Sequence, residues 1–287
     1  MKVVLFCGGQ GMRIREYNDE VPKPMIKIGS RPVLWHIMKY YAHFGHKDFV
    51  LCLGYKADVI KQYFLNYKEW VSNDFVVTNG GRDIELFNSD IDDWTITLVD
   101  TGVEACVGER LWAVRDLLKN EEAFMCNYAD CLTDCDLPTM IEHFHDQGKV
   151  GSFMGIPPNY TFHVIQRDAG GAVTDLVGAK ESDLRINGGY FIFTPELFDY
   201  MRPGEELVVE PFRRLIGAGE LTTYIHEGFW GCMDTFKEKM LLEDMHQRGE
   251  ASWELWRKTP RNPTGVAGTG AEVKASVAIA NDTSASS

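Results

Sequence analysis

Short apolar runs along the chain are separated by stretches in which apolar residues recur at helical spacing. Val3-Val4-Leu5-Phe6, Asp48–Leu53, Ala123–Tyr128 and Gly151–Ile156 carry successive apolar residues with no alternating polar face. Such runs predict strands buried on both sides, as in a parallel sheet. Leu34, Ile37, Met38, Tyr41 and Ala42 fall on one face of a helix predicted over Val33–Phe44, which Gly45 ends. Further helices are predicted over Ala57–Tyr67, from Gly108 to about Lys119, over Thr139–Gln147, from Glu210 to near Gly217, and over Thr235–Gly249. Strand–helix alternation this regular predicts an α/β fold of βαβ units, a mixed and mostly parallel sheet flanked by helices.

Two stretches break the alternation. Phe75–Val77, Asp83–Leu86 and Trp94–Val99 read as short strands of a small β excursion, with Asn79-Gly80-Gly81-Arg82 on a loop. His163–Ile165, Ala172–Thr174 and Tyr190–Phe193 read as sheet, with Asp168–Gly171 as a hairpin turn. From residue 259 to 287 the chain is built of small and polar residues without aromatics. Such a tail cannot bury enough apolar surface to offset its ordering entropy, so residues 1–258 are expected to form the domain and 259–287 a disordered tail.

Composition narrows the function. With 287 residues, 45% of them hydrophobic, the chain can build one large core or two fused ones. A net charge of −13 argues against a general nucleic-acid binder. No apolar run reaches membrane-span length, and the N-terminal residues lack a signal-peptide pattern, so a cytoplasmic protein is expected. The seven cysteines are scattered in apolar surroundings, as buried thiols of a reducing compartment are. Cys126, Cys131 and Cys135 lie close together, but without a C-x-x-C pair and with His143 and His145 on another element, so no zinc site is expected there.

The chemistry concentrates where the first strand ends. Gly8-Gly9-Gln10-Gly11 follows Phe6 and Cys7, then Arg13 and Arg15, then Lys23 between two prolines. Glycines let the main-chain N–H groups approach a bulky anion, and the cations that follow complete a polyphosphate cradle. The P-loop is excluded because Met12-Arg13 stands where Lys-Ser/Thr is required, and the dinucleotide fingerprint meets Ile14 at its third glycine. Asp130, at the tip of the predicted Ala123–Tyr128 strand, is placed to hold magnesium for a nucleotide. Asp134 and Asp136 form a D-x-D of the kind glycosyltransferases use for metal, and they also read as the cap of the next helix. Asp234 precedes a helix, where a capping role competes with a catalytic one. Arg110 at a helix start can meet an anion or lie solvated. Asn187-Gly188-Gly189 suits either a hydroxyl-rich ligand or a bulge.

The pattern G-G-x-G-x-R-[LI] followed by Lys23-Pro24-Met25 resembles the signature of the sugar-1-phosphate nucleotidyltransferases. Residues 1 to about 257 resemble the glucose-1-phosphate cytidylyltransferase branch: Pro32-Val33-Leu34-Trp35-His36-Ile37-Met38, Gly54-Tyr55-Lys56, Leu98-Val99-Asp100-Thr101-Gly102, Gly108 with Arg110-Leu111, Ile186-Asn187-Gly188-Gly189, and Gly228-Phe229-Trp230 with Met233-Asp234-Thr235 follow in order. The resemblance implies a Rossmann-like nucleotidyltransferase fold and a homo-oligomer. It implies catalysis by Arg13, Lys23 and Asp130, and Mg2+ held by Asp130 and Asp234. It implies nucleotide contacts from Phe6, Gly8, Gly9, Gly11, Met12, Arg13, Lys23, Gly108, Arg110 and Tyr128. Acceptor contacts are expected from Asn187, Gly188, Lys180, Arg185 and Glu210.

Three departures stand out. Met12 replaces the Thr of the family's G-T-R, and Ala129-Asp130-Cys131 replaces its G-D-G. Val177-Gly178-Ala179 occupies the place of its Glu-Lys-Pro, whose lysine meets the sugar phosphate; Lys180 and Arg185 are the candidate substitutes. The expected reaction is in-line attack of a sugar 1-phosphate oxygen on the α-phosphorus of CTP or another NTP, with pyrophosphate leaving and no covalent enzyme intermediate. Its rivals are a metal-dependent GT-A-type glycosyltransferase using Asp134 and Asp136, and a non-catalytic nucleotide-sugar binding protein.

Overall fold

The computed structural model describes residues 1–9, 21–158 and 162–258. Gly11, Met12 and Arg13 of the expected cradle, and the tail from residue 259, lie outside the described residues.

A seven-stranded sheet forms the centre. In spatial order its strands are Leu221–Ile225, Gly151–Ile156, Ile186–Phe193, Phe124–Asn127, Val3–Phe6, Asp48–Leu53 and Thr95–Asp100. Ile186–Phe193 is antiparallel to both its neighbours, and every other pairing is parallel. The first strand shows why its apolar run has no polar face. Val3 and Leu5 join one core cluster, with Ile37 and Met38 of the Val33–His43 helix, while Val4 and Phe6 join another, with Leu111, Phe191 and Phe212. Among the described residues no helix is long and apolar enough to cross a membrane.

The last strand of the first excursion differs from the expectation. Phe75–Thr78 and Asp83–Leu86 do form an outlying hairpin, but Thr95–Asp100 leaves it and becomes the edge strand of the main sheet, paired in parallel with Asp48–Leu53. Its mixed apolar and polar pattern is that of a half-buried edge strand. The helix predicted from Gly108 is shorter than expected, spanning Val107–Ala113 before a 3-10 turn over Arg115–Leu117.

His36 is a core residue. Its Nε2 donates to the Ile28 carbonyl at 3.0 Å and its Nδ1 accepts from Trp253 Nε1 at 3.3 Å. Both nitrogens are thus used by the neutral ring, and burial pushes its pKa down to about 3. In the unfolded chain the same ring titrates near 6.5. Above that value both states are neutral and His36 contributes no pH dependence. As pH falls from about 6.5 toward 3, the unfolded state gains a proton that the folded state refuses, and stability falls by up to about 1.4 kcal/mol per pH unit. Thermal unfolding of His36→Gln is expected to show a shallower decline between these limits than the parent, whatever its absolute midpoint. Equal slopes would remove His36 as the source.

Candidate active site

The carboxyl ends of Val3–Phe6, Asp48–Leu53 and Phe124–Asn127 lie along one edge of the sheet, and the antiparallel strand brings the start of Ile186–Phe193 to the same edge. This is where an open α/β sheet binds ligands. Three charged side chains meet there. Lys23 Nζ donates to Asp130 Oδ2 at 2.6 Å and to Asp234 Oδ1 at 2.8 Å. The three come from positions 23, 130 and 234, joined by the fold alone.

Local structure aims each of them. Lys23 opens a 3-10 turn whose Pro24 and Met25 are buried, so its backbone is anchored and its side chain reaches the two acids. Asp130 follows a tight turn at Ala129, which has φ +63°. A left-handed conformation costs a Cβ-bearing residue roughly 1–2 kcal/mol, and the family's first glycine of G-D-G would avoid it. Asn127 offsets the strain, its Oδ1 accepting the Ala129 N–H at 2.7 Å. Asp234 is released from capping because Thr235 is the helix N-cap. Glu238 N donates to Thr235 Oγ1 at 3.3 Å, and the Glu238 carboxylate takes the N–H groups of Asp234 and Thr235 at 3.0 and 2.8 Å. Met233 N donates to the Asp130 carbonyl at 2.9 Å, fixing the two acidic segments side by side.

The charges of the cluster decide what it can hold. Burial works against the Lys23 ammonium, yet Asp130 beside it and the hydrogen bonds it donates to both acids raise its pKa above the usual lysine range. Two carboxylates against one ammonium leave the cluster net negative, which repels a triphosphate. Lys23 Nζ already stands as a positive charge bridging both acids, and a pair of hard oxygen donors fits a hard divalent cation such as Mg2+.

Tyr128 packs against Phe6 at the same edge of the sheet, with ring centroids 6.4 Å apart. Asn187 Nδ2 donates to Tyr128 Oη at 3.2 Å, and Asn187 Oδ1 accepts Gly189 N at 2.9 Å. Gly189 has φ +78°, and a Cβ there would come 2.7 Å from the Tyr128 ring, so glycine is required. Trp230 Nε1 donates to the Gly188 carbonyl at 2.8 Å. Asn127, Glu238 and Trp230 are positioning residues that the sequence reading missed. An Asn two residues before a strained turn and a Thr-x-x-Glu capping box were the available signals.

Several expected contacts lie elsewhere. Arg110 is 3% exposed and its guanidinium faces protein oxygens, not open space: Thr101 Oγ1 and the carbonyls of Leu53, Gly102, Gly8 and Val103 at 2.8–3.2 Å. Gly108 is likewise buried, with the Glu205 carbonyl where its Cβ would be. Both were expected at the nucleotide; Arg110 bonds the Gly8 carbonyl and Gly108 packs against the backbone of Glu205 and Leu207. Gly8 is buried in that packing and Gly9 is exposed. Glu210 Oε2 accepts the Glu206 N–H at 3.2 Å. Arg185 is occupied by Glu227 at 2.8 Å and by the Ser182 and Leu184 carbonyls. Lys180 is exposed in a 3-10 turn, and none of the hydrogen bonds or ion pairs among the described residues involves it.

The D-x-D is occupied as well. Asp134 Oδ1 accepts the Phe229 N–H at 2.8 Å and lies 3.0 Å from His226 Nε2, while Asp136 accepts from Thr139 Oγ1 at the start of the Leu137–Gln147 helix. The three cysteines close in sequence do not gather. Cys131 instead meets Cys232 across a two-stranded ribbon beside Asp130.

Comparison with known proteins agrees with this arrangement. Residues 2–243 match the family model described as nucleotidyl transferase. The glucose-1-phosphate cytidylyltransferase of Salmonella typhi is 37% identical over 257 residues, covering 89% of this chain and 100% of that protein. A protein of Bacillus subtilis named "Probable glucose-1-phosphate cytidylyltransferase" is 35% identical over 258 residues, with the same coverage. Among solved structures, HddC from Yersinia pseudotuberculosis superposes with a TM-score of 0.62 at 16% identity, covering 85% of this chain and 99% of that one, a likeness of fold.

Proposed function

Since the chain belongs to the nucleotidyl transferase family, in the branch of the glucose-1-phosphate cytidylyltransferases, we propose that it transfers CMP from CTP to a sugar 1-phosphate and releases pyrophosphate. The observation that carries the reading is the Lys23–Asp130–Asp234 cluster at the carboxyl edge of the sheet. Asp130 and Asp234 would hold Mg2+, which supplies the charge that neutralises the triphosphate and the leaving pyrophosphate. Lys23 stays protonated and positions phosphate oxygens. Tyr128 and Phe6 wall the cleft, and Asn187 with the Gly188 backbone meets the sugar. A phosphate oxygen of the acceptor attacks the α-phosphorus in line. Both reactants are anions, so positioning and charge neutralisation suffice, and no side-chain nucleophile is required.

The same reading includes a homo-oligomer and a cytoplasmic setting. Exposed apolar side chains on the outlying hairpins, among them Val77, Ile165 and Leu176, supply surface for the first. Seven unpaired cysteines suit the second. The test is pyrophosphate release with Mg2+, each NTP and a panel of sugar 1-phosphates. Release with CTP is expected. Binding without release would favour a sensor, and consumption of a sugar nucleotide with an acceptor would favour a glycosyltransferase.

The acceptor phosphate needs a cation of its own, because unpaired charge in a cleft is costly. Arg185 is occupied, which leaves Lys180 to take the place of the missing family lysine. Lys180→Ala is expected to raise KM for the sugar phosphate by about tenfold, the worth of one charge-assisted hydrogen bond, with KM for CTP nearly unchanged. Arg185→Ala should do less. Steady-state kinetics with each substrate varied in turn decides. A Lys180→Ala enzyme with unaltered acceptor KM would point to an acceptor other than a hexose 1-phosphate.

A further inference from the structure

We propose that Asp130, Cys131 and Cys232 form a site for a thiophilic divalent cation of the zinc class, next to the acid pair and in opposition to magnesium there. The Sγ atoms of both cysteines and a carboxylate oxygen of Asp130 all lie within 4.8 Å of one another. Cys131 Sγ is 3.1 Å from Asp130 Oδ1, whereas Lys23 holds Oδ2 of the same carboxylate. One side chain therefore faces two ways, one oxygen toward Lys23 and Asp234 and the other toward the thiols.

The backbone builds the thiol pair. Cys131 and Cys232 are directly opposed in the antiparallel ribbon of Cys131–Thr133 and Trp230–Cys232. Met233 N bonds the Asp130 carbonyl and Asp134 N bonds the Phe229 carbonyl. Hydrogen-bonded pairs alternate with unbonded ones, so Cys131 and Cys232 form a non-hydrogen-bonded pair, in which side chains stand closest. Cα atoms in such a pair are about 4.5 Å apart, at the short limit for a disulfide, which favours about 5.5–6 Å. Two thiolates on one tetrahedral ion, with metal–sulfur bonds of about 2.3 Å, stand about 3.8 Å apart, within the span of the cluster. Two soft sulfurs and one carboxylate select a zinc-class ion over magnesium. Cys131 is buried and Cys232 is partly open, which gives the ion its way in.

A cation on Oδ1 withdraws charge from Asp130 and weakens its hold on a second cation at Oδ2. Binding is independent of the nucleotidyl-transfer reading, and the inhibition rests on it. The full chain, reduced with a phosphine, is titrated with Co2+ while its absorption is followed. Sulfur-to-cobalt charge-transfer bands that saturate at one equivalent, and that Zn2+ abolishes, are expected. Cys131→Ser and Cys232→Ser should each weaken binding at least as much as the roughly 10–100-fold typical of lost outer-shell partners. Cys126→Ser, which lies in the other core cluster, should leave the bands intact. No bands, or bands that survive Cys232→Ser, overturn the site. In turnover assays with Mg2+ in excess, Zn2+ should inhibit the parent and lose potency against Cys232→Ser. Equal inhibition of both overturns the antagonism. Absence of turnover in any assay would defeat the functional reading and leave the cobalt spectra to judge the site.

Discussion

Asp130→Asn and Asp234→Asn are each expected to lower kcat by on the order of a hundredfold or more while the protein stays folded. The two carboxylates are the hard-oxygen pair of the cleft, and the side chains are 18% and 30% exposed, so neither amide must be fitted into a packed core. Neither acid caps a helix, because Thr235 and Glu238 take that work. Loss of either charge therefore falls on the reaction. Each substitution also leaves the Lys23 ammonium with one acid instead of two, so a small decline in melting temperature accompanies the kinetic loss. Asp134→Ala provides the contrast. It removes the acceptor of the Phe229 N–H and the partner of His226, so it should cost stability and spare kcat. Circular dichroism and pyrophosphate release on the three variants make the comparison. Near-normal turnover in Asp234→Asn would sink the paired-acid site, and a specific kcat loss in Asp134→Ala would revive the glycosyltransferase reading.

The elements were legible where one local rule decided them. The unbroken apolar run of Val3–Phe6 has no solvent face to offer, and the structure buries it on both sides. Asp48–Leu53 is a strand with the bounds its pattern predicts. The Thr95–Asp100 strand was misplaced because an edge strand and an outlying hairpin share the same half-polar pattern; only pairing with Asp48–Leu53 separates them. Within the site, Lys23, Asp130 and Asp234 could be named from their motifs, but their common hydrogen bonds depend on segments more than a hundred positions apart. Whether Asp234 caps its helix was undecidable at one position. The answer lies in Glu238, which holds the backbone of both Asp234 and Thr235. The Cys131–Cys232 pair was invisible for the same reason: cross-strand register is a tertiary property, and proximity in sequence groups Cys131 only with Cys126 and Cys135, a combination already set aside as a metal site.

Arg110→Met is expected to loosen the packing around Gly8, just past the end of the first strand. A cation at a helix start suggests an anion partner, yet among the described residues this guanidinium bonds only protein oxygens. Leu53 O and Gly8 O keep other donors, Thr101 N and Tyr55 N. The Gly102 and Val103 carbonyls have Arg110 as their partner. Gly102 and Val103 are exposed, so water takes up part of the loss; with hydrogen bonds to a charged group worth about 1.5–3 kcal/mol each, losing these two costs about 1.5–3 kcal/mol together. Each kcal/mol moves the melting midpoint by roughly 2–4 °C in a chain of this size, and a decline of several degrees follows. Gly8→Ala attacks the same joint from the other side, because its Cβ would overlap Nη1 of Arg110. Gly54 is equally tight, with Arg110 Nη1 at 2.8 Å and the Gly8 and Gly102 carbonyls at 2.7 Å from where its Cβ would be. The single and double variants at Gly8 and Arg110 should therefore be non-additive, since either change alone already disrupts the shared contact. Turnover should fall along with stability, because Gly8 leads directly into the loop. An Arg110→Met protein that melts like the parent but shows a raised KM for CTP would return this arginine to the nucleotide.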